Sequence, residues 1–195
     1  MKDVIGTADM TQGVSILFTN DQFGKANAAL ALNQGFAIVP SGIYFNTPQF
    51  TISVWVYPKG YTGNFARVMD FGSGPYTNNI VVSLERTCCS SEPFFAYVFP
   101  EGTEEDVIPP FALSTEEWQF LTITYDSTYL KFYINADLKA STSWSFTLPT
   151  ITRTTNYVGK SNWEAHGTSS SYIDDFAFYG TCLSQTQITD LWKTG

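Results

Sequence analysis

The chain has 195 residues, a hydrophobic fraction of 44% and a formal net charge of −8 at pH 7. This length suffices for one domain with a sizeable core. No apolar run reaches the ~18 residues of a membrane-spanning helix. With 10 Lys and Arg against 18 Asp and Glu, the chain lacks the basic surface that nucleic acids and anionic membranes bind. The N-terminal stretch MKDVIGTADM also lacks the apolar segment of a signal peptide. We therefore expect a single domain, residues 1–195, with no membrane insertion.

Short runs of alternating apolar residues dominate the chain, and Gly, Pro, Asn or Ser bound them. In PQFTISVWVYP, residues 48–58, one face consists of Phe50, Ile52, Val54 and Val56, which we expect to face the core. Similar runs follow at residues 78–85, 93–99, 118–125 and 130–135, and turn signals at 126–128 and 135–137 join the last two to a further strand. The pattern predicts one antiparallel β-sandwich.

One short helix is predicted at the C-terminus. Ser184 and Gln187 have the S-x-x-Q spacing of a capping box, in which each side chain bonds to the backbone of the other residue. Ile188, Leu191 and Trp192 then fall at positions i, i+3 and i+4, which form a single apolar face.

Seven stretches, taken in this order, resemble the laminin-G-like (concanavalin A-like, pentraxin-related) domain family. They are FTNDQFGKANAALALN, GIYFNTPQFTISVWVYP, ARVMDFGSG, EEWQFLTITYD, KFYINADL, TRTTNYVGKSNW and IDDFAFYGTCLSQTQITDLW. The resemblance implies a two-sheet antiparallel jelly-roll sandwich. It also implies an extracellular or cell-surface module that binds a glycan or glycoprotein, often with calcium.

The sequence does not indicate an enzyme. Glycoside hydrolases of related fold need two carboxylates ~5–9.5 Å apart, which glucanases place on one strand face. Here Glu104, Glu105 and Asp106 are expected in a loop bounded by Gly and Pro. The adjacent Asp174 and Asp175 would point to opposite faces of a strand. His166 has no nucleophile elbow near it.

Asp174 is the candidate calcium ligand. Alternation places it on the same face as Phe176 and Phe178, which should be the core face, and a buried carboxylate must be neutralised or hydrogen-bonded. The resemblance places this aspartate near the loop of residues 20–24, which contains Asp21. Two interpretations stay open: a structural Ca²⁺ held by Asp174, with Asp21 and backbone oxygens of the loop, or a carboxylate that accepts backbone N–H bonds. Asp175 should be exposed.

The candidate ligand-binding residues lie in the polar stretch GKSNWEAHGTSSSY, residues 159–172. We expect Trp163, His166 and Tyr172 to cluster there, with Asn162 and Glu164 as polar neighbours; Tyr61 and Tyr76 lie in other loops. Glycan sites combine aromatic rings with such polar groups. Trp163 could instead anchor the loop on the sandwich edge, because an indole covers much apolar area. Asn162 and Glu164 alone are too few oxygens for a pentraxin-type calcium site.

The other tryptophans, Trp55, Trp118, Trp144 and Trp192, are expected to be packing residues. The three cysteines, Cys88, Cys89 and Cys182, allow a vicinal disulfide, a bridge from Cys182 to one of the pair, or a buried free thiol at Cys182.

Two functions follow from these observations. The first is a non-catalytic extracellular recognition module that binds a glycan or glycoprotein through rim loops, with calcium support. The alternative is a protein–protein or structural module of a larger adhesion protein, without a sugar site.

Overall fold

The computed structural model describes residues 8–10, 12–60, 64–86 and 91–195. Its elements are antiparallel strands followed by one C-terminal helix, as the sequence predicts. The strands are β1 (Gln12–Thr19), β2 (Ala29–Val39), β3 (Gly42–Ile43), β4 (Phe50–Pro58), β5 (Arg67–Gly72), β6 (Asn79–Ser83), β7 (Phe94–Val98), β8 (Glu104–Val107), β9 (Gln119–Tyr125), β10 (Tyr129–Ile134), β11 (Asp137–Ser143), β12 (Thr152–Arg153), β13 (Thr155–Val158) and β14 (Ser169–Tyr179), and the helix is α1 (Gln185–Thr194).

The long strand β2 connects the two layers of the sandwich. The main sheet has the order β11-β10-β9-β4-β14-β2-β13-β5-β6-β7-β8, with β1 also paired to β2 and a separate pair β3–β12. One half of β2 pairs with β14 and the other half with β13, so β13 and β14 lie end to end along the same edge. β1 occupies the opposite edge. The sheet therefore folds over at β2 into a first layer (β11 to β14) and a second layer (β13 to β8).

The main core lies between the two layers. Phe50, Ile52, Val54 and Val56 are each 0% exposed, which confirms the face predicted for this strand. From the second layer, residues of β5, β6 and β7 pack against them, among them Val68, Phe71, Ile80, Val82, Phe95 and Tyr97. Each such side chain contributes about 1.5–3 kcal/mol on burial. The alternation of apolar residues thus explains the inner face of β4.

Each layer also has a smaller cluster on its outer face. On the first layer, Trp55, Phe120 and Tyr133 are covered by Ile188 of α1, with Trp118 and Trp192 partly buried beside them. On the second layer, Val81, Phe94 and Ala96 are covered by loop residues that include Trp163. Trp144 lies in the main core. The prediction that the four other tryptophans are packing residues is confirmed.

The capping box that begins α1 is present. The Gln187 backbone N–H donates to Ser184 Oγ, and the Ser184 N–H donates to Gln187 Oε1 at 2.9 Å. Ile188 is buried, and Leu191 and Trp192 pack beside it, as the spacing predicts. In the part of the chain that the structure describes, no helix has the length and hydropathy needed to cross a membrane.

Candidate functional site

The loop of residues 160–168 leaves the sheet between β13 and β14. Val158 pairs with Ala37 and Ser169 pairs with Gly35, so both ends of the loop are held by β2. The Ser169 N–H closes the base of the loop by donating to the Gly159 carbonyl at 2.8 Å. Gly159 has a φ of +85°, and a Cβ there would lie 2.8 Å from the backbone carbonyl oxygen of Gly35. Only glycine fits this exit from the sheet.

Asp70 of β5 holds this loop from below. Its side chain is 0% exposed, and it accepts the backbone N–H of Asn162 at 2.9 Å and the Asn162 side-chain amide at 2.8 Å. A third bond comes from the Asn79 amide at 2.8 Å. A buried carboxylate requires several donors of this kind. Asn162, one of the predicted ligand residues, therefore uses its side chain to attach the loop to β5.

Arg67 supplies the opposite charge in the same place. Its side chain is buried, and its Nε lies 4.0 Å from Asp70 Oδ2. The guanidinium carbon lies 5.3 Å from the ring centre of Phe65, 5.5 Å from Phe94 and 6.0 Å from Trp163. Burial lowers the pKa of Arg67 to about 10, against the opposing charge of Asp70, so the guanidinium stays protonated at pH 7. The buried ion pair of Arg67 and Asp70, with aromatic rings packed around the guanidinium, thus supports the loop.

His166 packs into this assembly as a neutral ring. Its imidazole stacks on Phe65, with centroids 4.3 Å apart, and Arg67 Nη2 lies 3.2 Å from its Nδ1. Arginine can only donate, so Nδ1 is the acceptor and Nε2 carries the proton. Burial, and then the charge of Arg67, lower the pKa of His166 to about 4. His166 is therefore uncharged at neutral pH.

Trp163 and Tyr76 form an aromatic pair at the surface, which we call the aromatic corner. Their rings meet edge to face at 5.2 Å and 89°, a favoured geometry for aromatic side chains. Trp163 is half-buried on the outer cluster of the second layer, whereas Tyr76 is 51% exposed. Tyr76 also lies over the turn at Gly102, where a Cβ would come within 3.3 Å of its ring. Glu164 is exposed beside Trp163.

The structure separates Tyr172 from the other predicted ligand residues. The expectation that it lies in the loop with Trp163 is wrong, because β14 has already begun at Ser169. The Tyr172 ring stacks on Tyr57 at 5.0 Å and tilts against Trp118 at 6.2 Å, on the outer face of the first layer. Trp163 and His166 do lie together, with ring centres 5.7 Å apart. The sequence could not place Tyr172, because the end of the loop and the start of the strand are both polar.

Asp174 does not face the main core, which corrects the prediction from alternation. β14 is irregular between Asp174 and Ala177, where it pairs with β4, and Asp175 has a φ of +45°. Asp174 pairs with Trp55 and so lies on the outer face, while Phe176 and Phe178 pack against the main core. An inserted bulge reverses the alternation of side chains along a strand. The exposure predicted for Asp175 is confirmed.

The loop of residues 20–24 approaches Asp174, as expected. Gln22 Nε2 donates to Asp175 Oδ2 at 3.0 Å, and the Asp175 N–H donates to Asp174 Oδ1 at 2.9 Å. Burial raises the pKa of the Asp174 carboxyl to about 6; the Asp175 N–H opposes this shift, and the charges of Asp175 and Asp21 add to it. Asp21 Oδ1 accepts the backbone N–H groups of Phe23 and Lys25. Within the described ranges, no three His, Cys, Asp or Glu side chains are grouped as a metal site.

The acidic run at residues 104–106 is a strand and not the predicted loop. β8 places Glu104 opposite Val98 and Asp106 opposite Ala96, so both carboxylates lie on the outer face of the second layer. Arg86 Nη2 lies 3.9 Å from Glu104 Oε1 and 3.8 Å from Asp106 Oδ2. Glu104 and Asp106 lie two residues apart on one strand face, as the catalytic carboxylates of glucanases do. Here, however, the Arg86 guanidinium contacts both carboxylates.

Ser161 and His166 also form a pair that is unsuited to nucleophilic chemistry. Ser161 Oγ lies 3.1 Å from His166 Nδ1, yet Ser161 is 1% exposed and its Oγ also lies 3.4 Å from Asp70 Oδ2. In a hydrolase triad the carboxylate orients the histidine, and the serine is open to the substrate. Here Asp70 contacts the serine instead.

Sequence reasoning missed Arg67 and Asp70, which organise the loop. The available signal was the stretch ARVMDFG, where two charges three residues apart interrupt an apolar run. Tyr61, Cys88 and Cys89 lie outside the described residues, so the predicted vicinal disulfide falls there too. Cys182 is a half-buried thiol that is free among the described residues.

The architecture is an antiparallel β-sandwich with a jelly-roll-like arrangement of strands and a short C-terminal helix. Residues 32–189 match the family model described as "Concanavalin A-like lectin/glucanases superfamily". The chain therefore belongs to this superfamily, as the ordered stretches of the sequence predict. No curated protein sequence gives a significant match.

Several solved structures share the fold at low sequence identity. Domain 4 of AbnA, a GH43 extracellular arabinanase from Geobacillus stearothermophilus in complex with arabinotriose, has a TM-score of 0.70 and 22% identity, over 91% of this chain and 81% of that chain. The binding domain of Paraclostridial Mosquitocidal Protein 1 has a TM-score of 0.71 and 18% identity, over 98% of this chain and 48% of that chain. The botulinum neurotoxin serotype D ligand-binding domain in complex with N-acetylneuraminic acid has a TM-score of 0.69 and 19% identity, over 96% of this chain and 46% of that chain. The chain thus spans about half the length of these toxin domains.

Proposed function

We propose that this chain is a non-catalytic carbohydrate-binding module and that the aromatic corner contacts the sugar. The observation that carries the proposal is the exposed Tyr76 ring, fixed edge to face on Trp163. Sugar rings bind proteins through their apolar C–H faces, which pack on aromatic side chains. A rigid aromatic pair loses little conformational entropy on binding.

The buried network beneath the corner supports the same proposal. Arg67 and Asp70 pair below Trp163, and the Asn162 bonds to Asp70 fix the loop on β5. Such a second layer of contacts positions a binding surface before the ligand arrives. Among the predicted ligand residues of the loop, Asn162 bonds to Asp70. The polar groups that could bond to sugar hydroxyls are therefore the carboxylate of Glu164 and the Nε2–H of His166. The arabinanase domain and the toxin domain were both solved with sugars, which supports a glycan ligand.

A non-catalytic role is favoured by the two arrangements that resemble catalytic groups. Glu104 and Asp106 share Arg86, and Ser161 is buried against Asp70. An extracellular or cell-surface location, with a glycan or glycoprotein partner, forms part of this proposal. It is supported by the similarity to a domain of an extracellular arabinanase.

Tyr76→Ala tests the site. A glycan array that includes arabino-oligosaccharides and sialylated glycans identifies a ligand, and calorimetric titration then gives Kd. We expect Tyr76→Ala to weaken binding at least tenfold, about 1.4 kcal/mol, because a central aromatic contact is lost. The variant should lose only about 0.5–1.5 kcal/mol of stability, the worth of the edge-to-face contact with Trp163, so it stays folded for the titration.

Tyr129→Ala is the matched control, since Tyr129 is 47% exposed on β10. It should leave Kd unchanged. Equal weakening by both variants, or binding that survives Tyr76→Ala, would contradict the site. No glycan bound at all would favour a protein–protein module instead.

We further propose that calcium binds beside Asp174. Gln22 Oε1 is buried without a hydrogen-bond partner among the described residues, and Gln22 bonds to Asp175, next to Asp174. An unpaired buried oxygen beside a carboxylate of raised pKa fits a hard cation, which binds oxygens and favours the charged carboxylate. Asp174 and Gln22 would hold the ion, with Asp21 and backbone carbonyls of the loop. The ion would tie residues 20–24 to β14.

Thermal unfolding at pH 7 with millimolar CaCl2 or with EDTA tests this site. Calcium should raise Tm of the wild type, because a ligand that binds only the folded state stabilises it. Asp174→Asn should remove that response. In EDTA the variant should be at least as stable as the wild type. Burial of the Asp174 carboxylate disfavours its charged form and so raises its pKa, and a neutral amide in the same place carries no charge to desolvate.

Asp137→Asn, at an exposed carboxylate on β11, is the control and should respond to calcium like the wild type. An unchanged wild-type Tm at saturating calcium would rule out the site.

A further inference from the structure

Arg67 and Arg153 are both buried, but only Arg67 has an acidic partner among the described residues. Arg67 is 3% exposed and lies beside Asp70, as described above. Arg153, the last residue of β12, is 0% exposed. Burial removes the hydration of a charged group, so a buried charge normally has a counter-charge close to it. The groups around Arg153 therefore determine how its charge is compensated.

The hydrogen bonds of Arg153 use only part of its guanidinium. Nη1 donates to the Tyr44 carbonyl at 2.7 Å, and Nε donates to the Asn78 carbonyl at 3.2 Å. The guanidinium carbon lies 5.9 Å from the centre of the Phe45 ring. Nη2 is buried and has no hydrogen-bond partner among the described residues. Both acceptors are neutral carbonyls, so these bonds do not supply a counter-charge.

No side chain in the described part of the chain supplies that negative charge. None of the ion pairs found there includes Arg153. The titratable group whose charge acts on Arg153 is Tyr97, but burial raises the pKa of its phenol to about 12, so the phenol is neutral at pH 7. Burial lowers the pKa of Arg153 only to about 10, so the guanidinium is protonated.

We propose that a small monovalent anion, of the size of chloride, binds at Arg153 Nη2. The N–H groups of Nη2 would donate to the ion, and hydrogen bonds between charged groups are about twice as strong as neutral ones. The ion would also neutralise the guanidinium, whereas a water molecule would accept the same bonds and leave the charge uncompensated. Because Arg153 is completely buried, the site takes a small ion and not a large organic one.

The proposed site lies beneath the turn of residues 73–78, which carries Tyr76. Arg153 holds the end of this turn through the Asn78 carbonyl. At its start, Ser73 Oγ accepts the backbone N–H of the residue that follows Arg153, at 3.2 Å. An anion that stabilises Arg153 would therefore also stabilise the turn. Its benefit to the aromatic corner rests on the proposed function, but the ion site itself does not.

Thermal unfolding of the whole chain at pH 7 tests the site, with EDTA present and sodium gluconate replaced stepwise by sodium chloride at constant ionic strength. Gluconate is too large for an enclosed site. The wild-type Tm should rise by about 2–4 °C at a chloride concentration several times Kd and then level off, because the ion binds only the folded state.

Two variants separate this site from general salt effects. Arg153→Met keeps an apolar stem and removes the charge, so its Tm should not rise with chloride. Arg86→Met is the matched control, because Arg86 is a half-exposed arginine that already contacts Glu104 and Asp106. This variant should respond to chloride like the wild type.

Bromide provides a second measurement that does not depend on a variant. It has the charge of chloride and a similar size, and its anomalous scattering identifies it in a crystal. Wild-type crystals grown in sodium bromide should show an anomalous peak within hydrogen-bond distance of Arg153 Nη2. A wild-type Tm that does not change with chloride would overturn the proposal, as would the absence of this peak or a chloride response that persists in Arg153→Met. Neither measurement uses a glycan, so their results and that of the Tyr76 experiment are independent.

Discussion

At the scale of single residues, buried charged and titratable groups determine the position of the loop of residues 160–168. Asp70 receives bonds from Asn162 and Asn79, and Arg67 pairs with it below the aromatic rings. Removing one partner of such a buried pair is far more damaging than replacing both, because the other charge is left unpaired. The loop therefore has one favoured position. Because Trp163 belongs to this loop, the same contacts fix the position of its ring against Tyr76.

His166 reports directly on this assembly, because it is the only histidine in the chain. Its pKa of about 4 lies below the ordinary value of 6.5. The unfolded chain therefore takes up a proton between these two pH values while the folded chain does not. This group's contribution to stability is present above pH 6.5 and is lost as the pH falls towards 4.

We predict that the imidazole resonances of His166 show the neutral Nε2–H form at pH 6 and titrate only near pH 4. The reason is the combined effect of burial and the Arg67 charge. The measurement is an NMR pH titration, in which a single histidine leaves no assignment ambiguity. Titration near 6.5 would show that the ring is solvated and that the loop is not held as described.

At the scale of elements, the bulge in β14 determines what the two aspartates do. Asp174 lies opposite Trp55, and Phe178 lies opposite Ile52, although an unbroken strand would put both side chains on one face. Period-2 alternation identifies strands well, but one inserted residue reverses every face beyond it. Nothing in the letters IDDFAF marks the insertion, so the sequence placed Asp174 on the wrong side.

The C-terminal helix shows the opposite case, in which local chemistry was enough. Ser184→Ala should destabilise the protein by about 1 kcal/mol, because it removes the acceptor for the Gln187 N–H. Ser184→Asp should keep most of the stability, since aspartate also caps helices. Urea unfolding measures both. Equal stability of Ser184→Ala and the wild type would mean that Ile188 alone holds the helix on the sheet.

At the scale of the whole molecule, one sheet folds over on itself, and the loop of residues 160–168 lies where it folds over. β2 pairs with β14 along one half and with β13 along the other, and residues 160–168 leave the sheet between them. The loop therefore meets the outer face of the second layer, where Trp163 packs. Tyr172, a few residues later, lies on the outer face of the first layer with Tyr57. This topology explains why neighbours in sequence reach different surfaces.

The sequence by itself determined the all-β class, the core face of β4, the hairpins from β9 to β11, the capped helix and the superfamily. These features depend on residues close together in the chain, through side-chain alternation, turn chemistry and capping. It also indicated the loop that holds Trp163 and His166. Tertiary structure alone decided that Tyr76 meets Trp163, that Arg67 and Asp70 lie beneath the loop, and that Asp174 faces outward. Those features join distant strands or depend on a bulge, and such long-range contacts leave no local pattern to read.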